Sequence, residues 1–212
     1  MTTPTTRARG REQVSILAFL RAVVPARRVS YSEALRIAEL QANKLREHFG
    51  INDAELPSEV IADLSRVTID YDHDMPVSGS THWNGQYWVI TLNASEPIVR
   101  QRFSLMHEFK HIIDHTTRQQ LYGNGGDSAS AQRAERVADY FAACLLMPKR
   151  WVKRYWGEGI QTMTGLADRF GVSTQAMRYR LLQLGLIDTP PRCRTPRYQT
   201  GQTWRARMEV AA

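Results

Sequence analysis

Cysteine is scarce in this chain, with 2 among 212 residues. They are Cys144 and Cys193, and neither stands in a CxxC pair. That argues against a disulfide framework and points to a reducing, cytoplasmic setting. Long hydrophobic runs are missing as well. No stretch approaches the roughly 18 uninterrupted apolar residues of a membrane-spanning helix, so no membrane is expected among the partners. The first residues, "MTTPTTRARGREQ", carry arginines but no short apolar core followed by small residues, which argues against a secretory signal. There is no internal repeat. Acidic residues are outnumbered, 21 against 28 Lys and Arg, leaving a net charge of +7 and a pI of about 9.7. That balance permits contact with nucleic acid without establishing it, and a solvated basic surface accounts for it equally well.

What is present is ordinary for a folded soluble protein, with 42% hydrophobic and 23% charged residues. "QVSILAFLRAVV" reads as a short apolar helix ending at Pro25. In the helix that follows, Leu35, Ala38, Ala42, Leu45 and Phe49 keep helical spacing, with Ser32 as the expected cap and Gly50 as the stop. "SEVIADLSR" gives another helical turn. The period then changes to that of strands. "VTIDY" alternates, and "VSGSTHWNGQYWVITLN" sets Asn84-Gly85 between two β-rich runs, a hairpin signal. Ser95, followed by Pro97, is expected to cap a helix running to about His115. A polar, Gly-rich stretch leads to "QRAERVADYFAACLLM", a helix that ends at Pro148. The fold class expected is α+β, with a small antiparallel sheet packed against these two long helices.

The chemistry concentrates in "FSLMHEFKHIIDH". At ~100° per residue, His111 falls ~40° from His107 and Glu108 ~100° from it. Leu105, Met106, Phe109, Ile112 and Ile113 fill a separate apolar arc. Two imidazoles one turn apart can share one metal ion, and the carboxylate beside them can reach water there without occupying the metal; this is the HExxH pattern. The pattern is short, and an ordinary solvated helix face accounts for it when it stands alone. A catalytic site needs a third protein ligand, and "ERVAD" offers Glu135 with Asp139 one turn later. Ala138 and Ala142 share that face and allow close approach of the two helices. Asp139 can then accept a hydrogen bond from a ligand imidazole and fix its tautomer. His115 lies ~12 Å along the helix from His107, too far for the same ion in an unbroken helix. It is expected near the mouth of the cleft.

After the Trp-rich segment that follows Pro148, "LADRFGVSTQAMRYRLLQLG" has helix-turn-helix spacing, with a turn at Gly171 and a cap at Ser173. Gln175, Arg178, Tyr179 and Arg180 on its second helix are types that touch bases or phosphates. Leu166, Phe170, Val172, Ala176, Leu181 and Leu184 would form its core. The same unit can equally serve as a structural or partner-binding appendage.

Taken together, "RQRFSLMHEFKHIIDH", "AERVADYFAACLLMP" and "LADRFGVSTQAMRYRLLQLGLI" occur in an order that resembles the ImmA/IrrE family of metallopeptidases, over roughly Val67 to Ile187. The resemblance implies a reduced gluzincin-like fold and one Zn²⁺ per chain, held by His107, His111 and Glu135, with Glu108 as catalytic base. It also implies a protein substrate, a helix-turn-helix repressor of a mobile element or stress response. Lys110 departs from a common glycine and Asp139 from a common asparagine; neither removes a ligand. The N-terminal helices are not explained by the family motifs. The division expected is a disordered basic tail (1–12), an N-terminal helical region (13–56), a zinc metallopeptidase core (57–150), a helix-turn-helix-like unit (151–188) and a flexible basic tail (189–212).

For such an endopeptidase, an extended substrate is expected to pair with a sheet edge around Tyr87 to Leu92. Tyr122, His115 and His82 are candidates to stabilise the oxyanion. The segment 122–127 reads as a lid or as a plain connector. Two classes of function follow: a zinc endopeptidase acting on a regulator, or a DNA- or partner-binding regulator whose peptidase-like domain cleaves little or nothing.

Overall fold

Ser30 opens the long N-terminal helix α2 (Tyr31–His48) with a reciprocal capping box: its side chain accepts from the Glu33 amide, and the Glu33 carboxylate accepts from the Ser30 amide. The cap is thus two residues earlier than Ser32, because Glu33 at the third helical position completes the box only from Ser30. The computed structural model describes residues 15–57, 59–62, 64, 66–123 and 128–188. The terminal tails at 1–12 and 189–212 lie outside the described residues.

A short α1 (Ile16–Arg21) precedes α2, and α3 (Glu59–Ala62) follows it. Three strands come next, β1 (Val67–Asp72), β2 (Gly79–Trp83) and β3 (Trp88–Asn93), and then the long helix α4 (Ile98–Asp114). The remaining elements are α5 (Arg118–Tyr122), α6 (Ser128–Leu146), α7 (Lys149–Gly157), α8 (Met163–Phe170) and α9 (Thr174–Gln183). The architecture is α+β. Among the described residues, no helix is long and apolar enough to cross a membrane.

The sheet is mixed rather than wholly antiparallel. Its order is β1-β3-β2, with β2 antiparallel and β1 parallel to β3. Consecutive strands alternate in direction, so the first and third run the same way. Inserting the third between the other two creates a parallel pair, which alternation within each strand cannot reveal. The hairpin expected at Asn84-Gly85 joins β2 to β3: the Asn84 amide donates to the Tyr87 carbonyl at 3.2 Å, Asn84 Oδ1 accepts from the amides of Gln86 and Tyr87, and Gly85 takes φ 101°.

α4 begins at Ile98 with Pro97 as its cap, whose carbonyl accepts from the amides of Arg100 and Gln101. Ser95 instead donates its amide to Asn93 Oδ1. The expected apolar face of α4, from Leu105 through Ile113, is buried against β2, β3 and α6. The N-terminal helices have a defined task here. Arg21 donates to the carbonyls of Ile112 and Ile113 at 2.7 and 2.8 Å, at the C-terminal end of α4 where carbonyls run short of regular helical partners. α2 packs along α6, and its buried Gln41 bridges the Leu20 carbonyl and the Lys110 ammonium. Lys110 is itself 0% exposed, in an ion pair with Asp114.

α8 and α9 meet at Gly171, in the left-handed conformation at φ 58°, and Ser173 caps α9. Leu166, Phe170, Val172 and Leu181 are buried, and Ala176 and Leu184 partly so. Arg102 of α4 fixes this turn by donating to the Gly171 carbonyl at 2.6 Å.

Candidate metal centre

α4 and α6 cross so that three donor atoms converge. His107 Nε2 lies 3.1 Å from Glu135 Oε2 and 3.1 Å from His111 Nε2. Glu135 Oε1 is 3.5 Å from His111 Nε2. One ligand atom from each of the three residues falls within 4.8 Å of the others. Ala138 and Ala142 of α6, on the same helical face as Glu135, are fully buried, and small side chains there permit close packing.

The fourth residue sets the polarity of the cluster. His107 Nδ1 lies 2.9 Å from Asp139 Oδ1, so Nδ1–H donates to that carboxylate. Nε2 is then left with its lone pair aimed at the Glu135 carboxylate, which is also an acceptor. Two acceptors at 3.1 Å demand a cation between them, either a proton or a metal ion. The donor set of two imidazoles and a carboxylate suits zinc and other divalent transition ions.

Protonation fits this description. Burial pushes the His107 imidazole down, but its hydrogen bond to Asp139 and the nearby carboxylates outweigh burial and hold it above the ordinary value. His111 is held below its ordinary value by burial and by the neighbouring His107. Burial also pushes the Glu108 carboxyl up. The Glu108 carboxyl, beside β2, therefore has a raised proton affinity.

Glu108, His111 and Glu135 open onto a cleft of about 570 Å³ that is lined also by β2, Trp88, His115 and Arg118. Gly79 of β2 passes directly over Glu108: a Cβ there would stand 3.1 Å from Glu108 Cγ. Nothing in the local sequence marks Gly79, because the contact exists only once the sheet is laid on α4. Trp83, Trp88 and Arg118 escaped sequence reasoning for the same reason.

Several expectations are corrected. Tyr87 to Leu92 is not a sheet edge, because β3 is the central strand; the edge facing the cleft is β2. Tyr122 is 4% exposed and donates its hydroxyl to Asp114, so it does not face the cleft. His82 and His115 do line it. Of the proposed lid, residues 124–127 lie outside the described residues. Arg180 is 1% exposed and donates to the Met147 carbonyl at 2.9 Å, which removes it from any nucleic-acid surface. Gln175, Arg178 and Tyr179 remain accessible, with Tyr179 57% exposed.

The IrrE N-terminal-like domain family, peptidase M78, matches residues 46–182. The chain belongs to this family. A search of curated proteins finds no match. Among solved structures, a Mycobacterium tuberculosis transcriptional regulator is similar at 18% identity and a TM-score of 0.54. The similarity covers 68% of this chain and 55% of the regulator, so this chain spans about half of that protein. At such low identity the likeness concerns the fold alone.

Proposed function

We propose that this M78 family member is a zinc-dependent endopeptidase. The observation that supports this best is the convergence of His107, His111 and Glu135 beside a cleft that also contains Glu108 and an edge strand. His107, His111 and Glu135 would hold the metal. When bound, a divalent ion at such a site supplies Lewis acidity, polarising a carbonyl and acidifying water. The chain's own residues do the rest. Asp139 holds His107 with Nε2 facing the site. Glu108, against Gly79, accepts a proton from water and returns it to the leaving amine. The β2 edge aligns an extended substrate by main-chain pairing.

The substrate we propose is a helix-turn-helix repressor, on the strength of the resemblance in the sequence. The test is incubation of the zinc-loaded protein with a helix-turn-helix repressor, chosen first from any encoded near its gene, with and without chelator. Chelator-sensitive cleavage that is lost in Glu108→Gln, with zinc retained, is the expected result. Zinc-loaded Glu108→Gln that cleaves as well as the wild type would exclude Glu108 as base.

A second reading is favoured by one observation: α9 presents Gln175, Arg178 and Tyr179 outward beside a capped tight turn. A regulator that binds DNA through this unit, with little proteolysis, would show salt-dependent binding that survives zinc removal.

A further inference from the structure

One end of the cleft is chemically unlike the other. At the metal end, Gly79 crosses Glu108. At the far end, Trp83 and Trp88 are cross-strand partners with ring centroids 5.5 Å apart, and His115 packs edge-on against Trp88 at 4.8 Å. Trp83 is 44% exposed, although it is among the largest apolar side chains in the protein. We propose, building on the peptidase reading above, that this aromatic wall is a specificity subsite for a bulky apolar side chain of the substrate, phenylalanine-like in size, three or four residues from the scissile bond.

The spacing follows from two separate elements and their standard rise per residue. Along α4, the rise from Glu108 to His115 is about 10 Å at the standard helical pitch. Along β2, the run from Gly79 to Trp83 is about 13 Å at the usual strand rise. Both separate the proton-accepting carboxylate from the wall by the length of three to four extended residues. A substrate paired to the β2 edge carries its side chains at the same rise, so one of them is delivered to the rings. An aromatic or large aliphatic group there covers exposed indole surface and gains edge-to-face contacts. A small or charged group leaves that surface wet.

The test uses the zinc-loaded full chain in two measurements. Cleavage sites are profiled on a mixed peptide library with the wild type. Binding is measured with Glu108→Gln and two blocked nonapeptides of serine and threonine, one carrying a single phenylalanine and the other alanine in its place. The expected results are enrichment of bulky apolar residues three or four positions from the cut, and at least about tenfold tighter binding of the phenylalanine peptide. Adding Trp83→Ala abolishes the difference, and adding Trp83→Phe restores it. Equal binding of the two peptides, or a preference untouched by Trp83→Ala, overturns the subsite. Preferential binding without cleavage of any library member leaves the subsite standing and overturns the peptidase reading. Cleavage without preference does the reverse.

Discussion

Asp139 accepts a hydrogen bond from Nδ1 of His107 at 2.9 Å, and this one contact decides which way the other ring nitrogen faces. Glu135 lies one turn earlier on the same helix, so α6 carries both the carboxylate that converges on the two imidazoles and the group that orients the first of them. Asp139→Ala leaves the ligand set intact but frees the imidazole to rotate and to change tautomer. Metal affinity falls by about 10- to 100-fold. Competition against a chromophoric chelator measures it. Glu135→Ala, which deletes a donor, is expected to lose more than Asp139→Ala; the opposite ranking would reassign the two carboxylates.

Gly79→Ala tests the crossing of β2 over Glu108. The new methyl group meets Glu108 Cγ at 3.1 Å, so the carboxylate or the strand has to shift by a few tenths of an ångström. The metal donors do not touch this position, and bound zinc is unchanged. Cleavage of a fixed substrate falls by about 10- to 100-fold, because proton transfer is sensitive to displacement of the accepting group. Wild-type kcat with normal zinc content would mean that the working carboxylate lies elsewhere.

The contrast between Glu135 and Gly79 shows what a sequence carries. The convergence of His107, His111 and Glu135 is legible because helical periodicity converts spacing into a face, and because HExxH and ExxxD each lie within single helices. The aromatic wall joins residues from two strands and a helix end, and no local period connects Trp83, Trp88 and His115. Sheet order is hidden for a similar reason: alternation in β1 reports which face is covered but not which strand lies beside it. Arg180 misled because its charge implied exposure. The structure buries it beside Tyr140, with its guanidinium spent on the Met147 carbonyl.

The buried pair of Lys110 and Asp114 ties α4 to α2 through Gln41 and to α5 through Tyr122. Lys110→Met strands a carboxylate and Asp114→Leu strands an ammonium. Either alone is expected to cost about 3–5 kcal/mol, and the double variant less than the sum, since it leaves neither charge unpaired. Chemical denaturation of the four proteins closes the cycle. Alkaline pH gives a second readout. Burial holds the Lys110 ammonium below its ordinary 10.5, despite the attraction of Asp114. Between the lowered value and 10.5 the unfolded chain binds more protons at this residue, so its cost is full at lower pH and vanishes above 10.5. Wild-type stability therefore gains on Lys110→Met as pH rises through that window, and parallel curves would show that Lys110 is not buried as a charge.

Cys144 sits on α6 among the core side chains, 1% exposed, and burial raises its thiol above the ordinary value. A thiol that is both occluded and protonated is a poor nucleophile toward alkylating reagents. In the native protein near neutral pH, iodoacetamide is expected to leave Cys144 unmodified for as long as the fold is intact, with modification at this site appearing only across the unfolding transition. Peptide mapping by mass spectrometry separates it from Cys193. Because Cys144 lies on the helix that carries Glu135 and Asp139, its protection also reports on α6. Zinc that binds the folded chain and not the unfolded one slows the labelling of Cys144 in moderate denaturant, by the ratio of zinc concentration to its dissociation constant. Labelling that ignores zinc in the wild type, while His107 and Glu135 are intact, would mean that these residues do not bind the ion.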